Sequence, residues 1–101
     1  MPAVTRIGDP FSCTDKSAAG SGDVFVNGIP ITRVGDATTG HPCPPGGSVA
    51  PPTKNKSGSG TVFANGLPIC RVGDPLVPHK CNGNPPHGGV FVGGSGDVFA
   101  G

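Results

Sequence analysis

The sequence predicts an all-β domain: a closed object of three β-hairpin repeats about a pseudo-threefold axis, joined into a ring by its own two ends. Three observations carry this. One unit occurs three times, over residues 6–32, 33–70 and 71–101, each copy running through Arg, an aliphatic residue, Gly-Asp, a variable loop and Ser-Gly-x-Val-Phe. Two copies continue as "VFVNGIPI" and "VFANGLPI", with Asn-Gly between β-formers. No segment has the apolar spacing and caps of a helix.

Composition limits how such a chain can hold together. Glycine and proline supply 19 and 13 of 101 residues, and aromatics are five Phe with no Trp or Tyr. A formal net charge of +1 leaves little self-repulsion to keep the chain open. The apolar core must be thin and built from Val, Ile, Phe and Ala. A chain of this size with such a core calls for a staple, either metal or disulfide.

Taken in order, the elements follow from local chemistry. Gly8-Asp9, Gly35-Asp36 and Gly73-Asp74 suit sharp turns, glycine taking the unusual backbone and aspartate bonding nearby N–H groups. Asn27-Gly28 and Asn65-Gly66 suit primed hairpin turns, which need positive φ twice. Alternation puts Phe25 and Phe63, with Phe99 as third equivalent, on one face and Val24 and Val26 on the other. Pro30 and Pro68 fit an edge or a strand start. The third copy stops at "VFAG" without a return strand, while "PAVTR" at Pro2–Arg6 parallels "PITR" and "PICR". Residues 2–6 are therefore expected beside residues 97–101, which closes the ring and removes two free edges. This makes residues 1–101 a single domain. Both termini fall at repeat boundaries, so no fused toxin is expected.

Six of the seven Cys and His residues lie in the variable loops: Cys13, His41, Cys43, His79, Cys81 and His87. Threefold closure would gather these loops at one end of the axis. His-x-Cys recurs at the same offset from Gly-Asp in copies two and three. Zinc takes about four N or S ligands in a tetrahedron, so an axial zinc could tie the repeats together. The start, "MPAVTRIGDP", lacks a signal-peptide apolar run and nothing approaches a membrane span. Cytosolic synthesis makes thiols near histidines read as ligands rather than disulfides. Aligned on cysteine, Cys13, Cys43 and Cys81 are equivalent, and the residues alone leave open which four of the six bind. Cys70 stands where the other copies have Thr5 and Thr32, and reads as a buried strand residue.

These units resemble the PAAR-repeat family. "NGIPITRVGD" and "NGLPICRVGD" match its Pro-Ala-Ala-Arg motif and following Gly-Asp, and the likeness spans the chain, including "HGG" at His87. The tetrapeptides here read Pro-Ile-Thr-Arg and Pro-Ile-Cys-Arg, the first loop lacks histidine, and the third carries an inserted "NGNPP". The resemblance implies a β-rich cone seated on the trimeric spike of a contractile phage tail or type VI secretion system. It also implies a zinc near the apex held by three histidines and one cysteine. Carried onto this chain, the set is His41, His79, His87 and Cys13, with Cys43 and Cys81 as alternates.

The expected function is structural: a zinc-stabilised tip, one zinc per chain, one chain per spike trimer, meeting a membrane only on puncture. The chain would be monomeric alone, made in the bacterial cytoplasm and built into a virion tail or secretion apparatus. Glutamate is absent and no HExxH pattern occurs, so a zinc hydrolase is not expected. The lack of a basic cluster argues against nucleic acid. The rival from another class is a secreted, disulfide-stapled binding module; its four cysteines allow two bridges.

Overall fold

The computed structural model describes residues 1–43, 48–81 and 84–101. Its strands are short and pair antiparallel in hairpins: β1 (Phe25–Val26) with β2 (Ile29–Pro30), β3 (His41–Cys43) with β4 (Ser48–Ala50), and β5 (Phe63–Ala64) with β6 (Leu67–Pro68). Among the described residues there is no helix. The Asn-Gly turns have the backbone their sequence calls for, with φ of 55° and 76° at Asn27-Gly28 and 54° and 79° at Asn65-Gly66.

The third hairpin is assembled from the two ends of the chain. Ala3 bridges Phe99 antiparallel, Val4 N–H donates to the Val98 carbonyl at 3.0 Å, and Ala100 N–H donates to the Pro2 carbonyl at 3.0 Å. Just beyond the hairpins the three copies meet in a closed triangle of backbone hydrogen bonds. Thr5 N–H donates to Cys70 (3.1 Å), Cys70 N–H to Thr32 (3.0 Å), and Thr32 N–H to Thr5 (3.1 Å). All three residues are fully buried. Such a cycle satisfies each interior peptide group without an edge strand.

The Arg-x-Gly-Asp turns repeat almost atom for atom. Asp9, Asp36 and Asp74 each accept from the backbone N–H of the arginine three residues before, at 2.7, 2.9 and 2.8 Å. The same carboxylates also take Nε and Nη2 of Arg6, Arg33 and Arg71 in two-pronged pairs. Gly8, Gly35 and Gly73 sit at φ of 90°, 90° and 96°, where a side chain would be strained. Arg6 and Arg33 reach on to the Asn27 and Asn65 side chains, so turn and hairpin brace each other.

The Ser-Gly-x segments link one copy to the next. Ser95 Oγ donates to Asn27 and Ser21 Oγ to Asn65, while Ser59 Oγ donates to the Gly101 carbonyl, the chain end standing in for the third hairpin tip. The repeated serine is thus a clasp on the neighbouring hairpin.

Apolar side chains stack in small layers along a body of 38 × 23 × 22 Å. Val4, Val26, Ile31, Ala64, Ile69 and Ala100 fill the hairpin end. Phe11, Cys70, Leu76 and Phe91 form the next layer, where the two rings stack with centroids 3.9 Å apart. Cys43, Ala50 and Cys81 form a third. Only two of the five phenylalanines serve this core. Phe25, Phe63 and Phe99 face outward at 53%, 55% and 49% exposure, and the next residues, Val26, Ala64 and Ala100, turn inward.

Candidate metal centre

Each copy contributes unequally to one cluster. In copy one, Phe11–Thr14 close a turn through Thr14 N–H to the Phe11 carbonyl at 3.1 Å. Thr14 stands at φ 74°, a strained backbone for a β-branched residue, directly after Cys13. In copy two, His41 opens β3, opposite Ala50. In copy three, His79 and His87 face each other in an antiparallel bridge with N–H to carbonyl bonds of 3.0 and 2.8 Å.

The structure brings together Cys13, His41, His79 and His87, one donor atom from each lying within 4.8 Å of the others. The Nε2 atom of His41 is 3.1 Å from that of His79 and 2.9 Å from that of His87. The rings meet at 55° to 66°, so they converge by their edges rather than stack. Their other nitrogens explain the orientation. His41 Nδ1 lies 3.0 Å from the Pro42 carbonyl and His79 Nδ1 2.7 Å from that of Pro51. A carbonyl only accepts, so these Nδ1 atoms carry the proton and the Nε2 lone pairs face inward.

Facing lone pairs at this range repel unless a cation lies between them. A tetrahedral zinc with N ligands at about 2.0–2.1 Å would set its nitrogens about 3.3 Å apart, close to the spacing seen. Three imidazoles and a thiol are a donor set suited to such an ion. The four side chains could hold a metal ion. Burial, followed by the neighbouring imidazoles of His79 and His41, lowers the proton affinity of His87 below its ordinary value of 6.5, which favours the neutral form that binds metal. His41 and His79 are buried, while Cys13 and His87 are partly open to solvent.

The remaining cysteines have other places. Cys43 and Cys81 are bonded to each other as a disulfide, with Cα atoms 6.0 Å apart. This corrects the expectation that either is an alternate ligand and that loop thiols read as ligands alone. The physical reason is register. In an extended His-x-Cys segment both side chains point the same way, so copies two and three place their cysteines opposite each other, as their histidines are. Counted from the Arg of each copy, Cys43 and Cys81 are equivalent, whereas Cys13 falls three residues earlier and has no cysteine counterpart. Cys70 is a free, fully buried thiol in the triangle layer and is not among the four converging donors, although Cys13 packs against the apolar group it belongs to.

Three features of the site were not singled out from sequence. The Pro42 and Pro51 carbonyls are backbone groups and carry no signal of their own. Gly89 follows His87 in the "HGG" stretch, and a Cβ there would lie 2.8 Å from the Cys13 Sγ atom, so glycine leaves room for the thiol. Asp15 is fully buried beside Cys13 in the chain, although a loop aspartate ordinarily reads as solvated.

No curated protein matches the chain. A family model described as "PAAR motif" matches residues 16–85, a span that holds the second and third Arg-x-Gly-Asp turns, His41 and His79. With that match covering most of its length, the chain belongs to the PAAR motif family.

Proposed function

We propose that this protein is the tip of a contractile injection machine, a phage tail or a type VI secretion system, capping a trimeric β-helical spike with one chain per trimer. The family is consistent with a spike-tip role and is one of structural proteins rather than enzymes. The observation that carries the reading is the threefold hairpin end. It offers one half-exposed phenylalanine per copy, Phe25, Phe63 and Phe99, at equivalent positions. A single chain with pseudo-threefold symmetry can meet all three subunits of a trimer alike. Three exposed rings at such an end are anchors of the kind that dominate interfaces.

At the other end, a zinc held by Cys13, His41, His79 and His87 would fasten the loops of all three copies where apolar packing is smallest. Four protein ligands would leave it no open position for water, so its role would be structural. Made in the bacterial cytoplasm and built into the machine, such a tip would meet a membrane only as the spike is driven through it.

Native mass spectrometry of the chain mixed with a trimeric spike should give one chain per trimer. A triple Phe25→Ser, Phe63→Ser, Phe99→Ser variant should fold and lose that complex. Three chains per trimer, or full binding by the triple variant, would sink the cap.

A further inference from the structure

Asp15 is a carboxylate without an evident reason to be buried. It has no exposure to solvent. Its Oδ1 accepts from Lys16 N–H at 2.7 Å and from the Thr39 hydroxyl at 3.1 Å, while its Oδ2 has no partner among the described residues. The ion pairs among the described residues are those of the three Arg-x-Gly-Asp turns, and Asp15 belongs to none of them. An interior carboxylate with one unpartnered oxygen and no cation is disfavoured, because burial removes its hydration and the two hydrogen bonds to Oδ1 replace only part of it.

Its position suggests what compensates it. Asp15 lies two residues after Cys13 and holds Thr39, two residues before His41. Thr39 N–H also donates to the Lys16 carbonyl at 3.0 Å, and Phe11 N–H donates to the Asp15 carbonyl at 2.8 Å. The carboxylate therefore sits on the seam between the Cys13 loop and the His41 strand. It is not among the four side chains whose donor atoms converge.

Charge supplies the rest. A divalent ion bound by one thiolate and three neutral imidazoles carries a net charge of one positive unit. One nearby carboxylate brings that to zero. Groups outside the ligand set commonly tune metal sites this way, and losing them costs about 10–100-fold in affinity.

We propose that Asp15 is the charge-balancing partner of the metal centre, a positioning residue rather than a ligand, whose buried carboxylate is stabilised by the bound divalent ion. This rests on the reading that Cys13, His41, His79 and His87 hold such an ion. It makes an unusual demand: Asp15 should help the metal-loaded protein and burden the metal-free one.

The test uses the full chain with Asp15→Asn, which keeps the shape and an acceptor for Thr39 and Lys16 N–H. Zinc and cobalt affinities are read by competition with a chromophoric chelator. Melting is followed with and without metal, and the visible bands of the cobalt form report its ligands. The expected result is a dissociation constant raised at least about tenfold, cobalt bands of unchanged four-ligand type, and a metal-free variant that melts no lower than metal-free wild type. Thr39→Val, which keeps the charge but removes one hydrogen bond to the carboxylate, should lose less metal affinity than Asp15→Asn does. Equal affinity in Asp15→Asn and wild type would overturn the proposal. So would a variant destabilised equally with and without metal, or one that fails to fold, since either makes Asp15 a simple brace. Wild type that binds neither zinc nor cobalt would instead remove the metal reading itself.

Discussion

The two ends of this molecule are made from the same three repeats and are held together by different means. At the hairpin end every copy does the same thing. Thr5, Thr32 and Cys70 close one backbone triangle, and Arg6, Arg33 and Arg71 make one kind of ion pair. At the loop end symmetry fails. Copy one supplies Cys13, copy two His41, and copy three both His79 and His87, while the Cys43–Cys81 disulfide joins only two copies. Peptide groups are present in every residue, so a backbone ring can repeat without limit. A tetrahedral ion has four positions to share among three copies, so its ligands cannot repeat. The disulfide, at a separation of 38 residues, restricts the unfolded chain by about 4 kcal/mol on the loop-entropy estimate. That places a covalent link where the apolar layer, among the described residues, is Cys43, Ala50 and Cys81.

The largest effect should come from removing a ligand. His41→Ala, His79→Ala, His87→Ala or Cys13→Ser is expected to abolish stoichiometric zinc and lower the melting temperature more than any single change at the hairpin end, since a structural metal contributes folding energy outright. Acid should mimic this. The proton affinity of His87 is lowered in the folded state by burial and by the imidazoles of His79 and His41, so its contribution to stability is present above the ordinary value of 6.5 and lost as pH falls below it. A bound metal would shift the competition further, because protons would have to displace it. Zinc content and melting measured from pH 8 to pH 4 should fall together. Full zinc in all four variants would remove the metal from the loop end.

The hairpin end should break through its seam. Deleting residues 2–5 removes Val4 from the core, Thr5 from the triangle and the return strand from Phe99. Two buried side chains and several interior hydrogen bonds together suggest a loss of about 5 kcal/mol. The deleted chain should melt far lower and expose an edge prone to association. A truncated chain that melts like the intact one would mean the ring is not closed there.

The difference between the ends also explains what could be read from sequence. The hairpin end was legible because each copy repeats its chemistry: Asn27-Gly28 and Asn65-Gly66 announce turns, and Pro2–Arg6 matches the return strand that copy three lacks. The outward aim of Phe25, Phe63 and Phe99 was not legible. Alternation separates two faces but does not say which one the axis takes, and the small Ala64 and Ala100 fit the crowded centre. At the loop end the gathering of histidines followed from the repeat, but the disulfide did not. Alignment on cysteine made Cys13 equivalent to Cys43 and Cys81, although the distance from each arginine separates them. The β3–β4 hairpin was hidden in "HPCPPGGSVA", where prolines replace the usual alternation; residues 44–47 lie outside the described residues. Asp15 was hidden because its burial depends on Thr39 from another copy.

The smallest effect should come from the one thiol that belongs to the symmetric end. Cys70 fills the place of Thr5 and Thr32, and its Sγ lies 3.7 Å from the Ser57 carbonyl. Burial first, then the charges of Asp74 and Asp36, push its pKa up from the ordinary value of 9.0 to about 12. The folded thiol thus stays protonated and unreactive, while the unfolded one ionises near 9.0. The folded state binds the extra proton between those values, so stability should decline as pH rises from about 9 toward about 12. Cys70→Thr restores the residue that the other copies use. It should change stability near neutral pH by less than about 1 kcal/mol, leave zinc content intact, and remove the alkaline decline that Cys70 causes. Thiol labelling of the native, chelated wild type should mark Cys13 and spare Cys70. Rapid labelling of Cys70 in the folded chain, or a large loss of zinc in Cys70→Thr, would show that the triangle layer is coupled to the loop end.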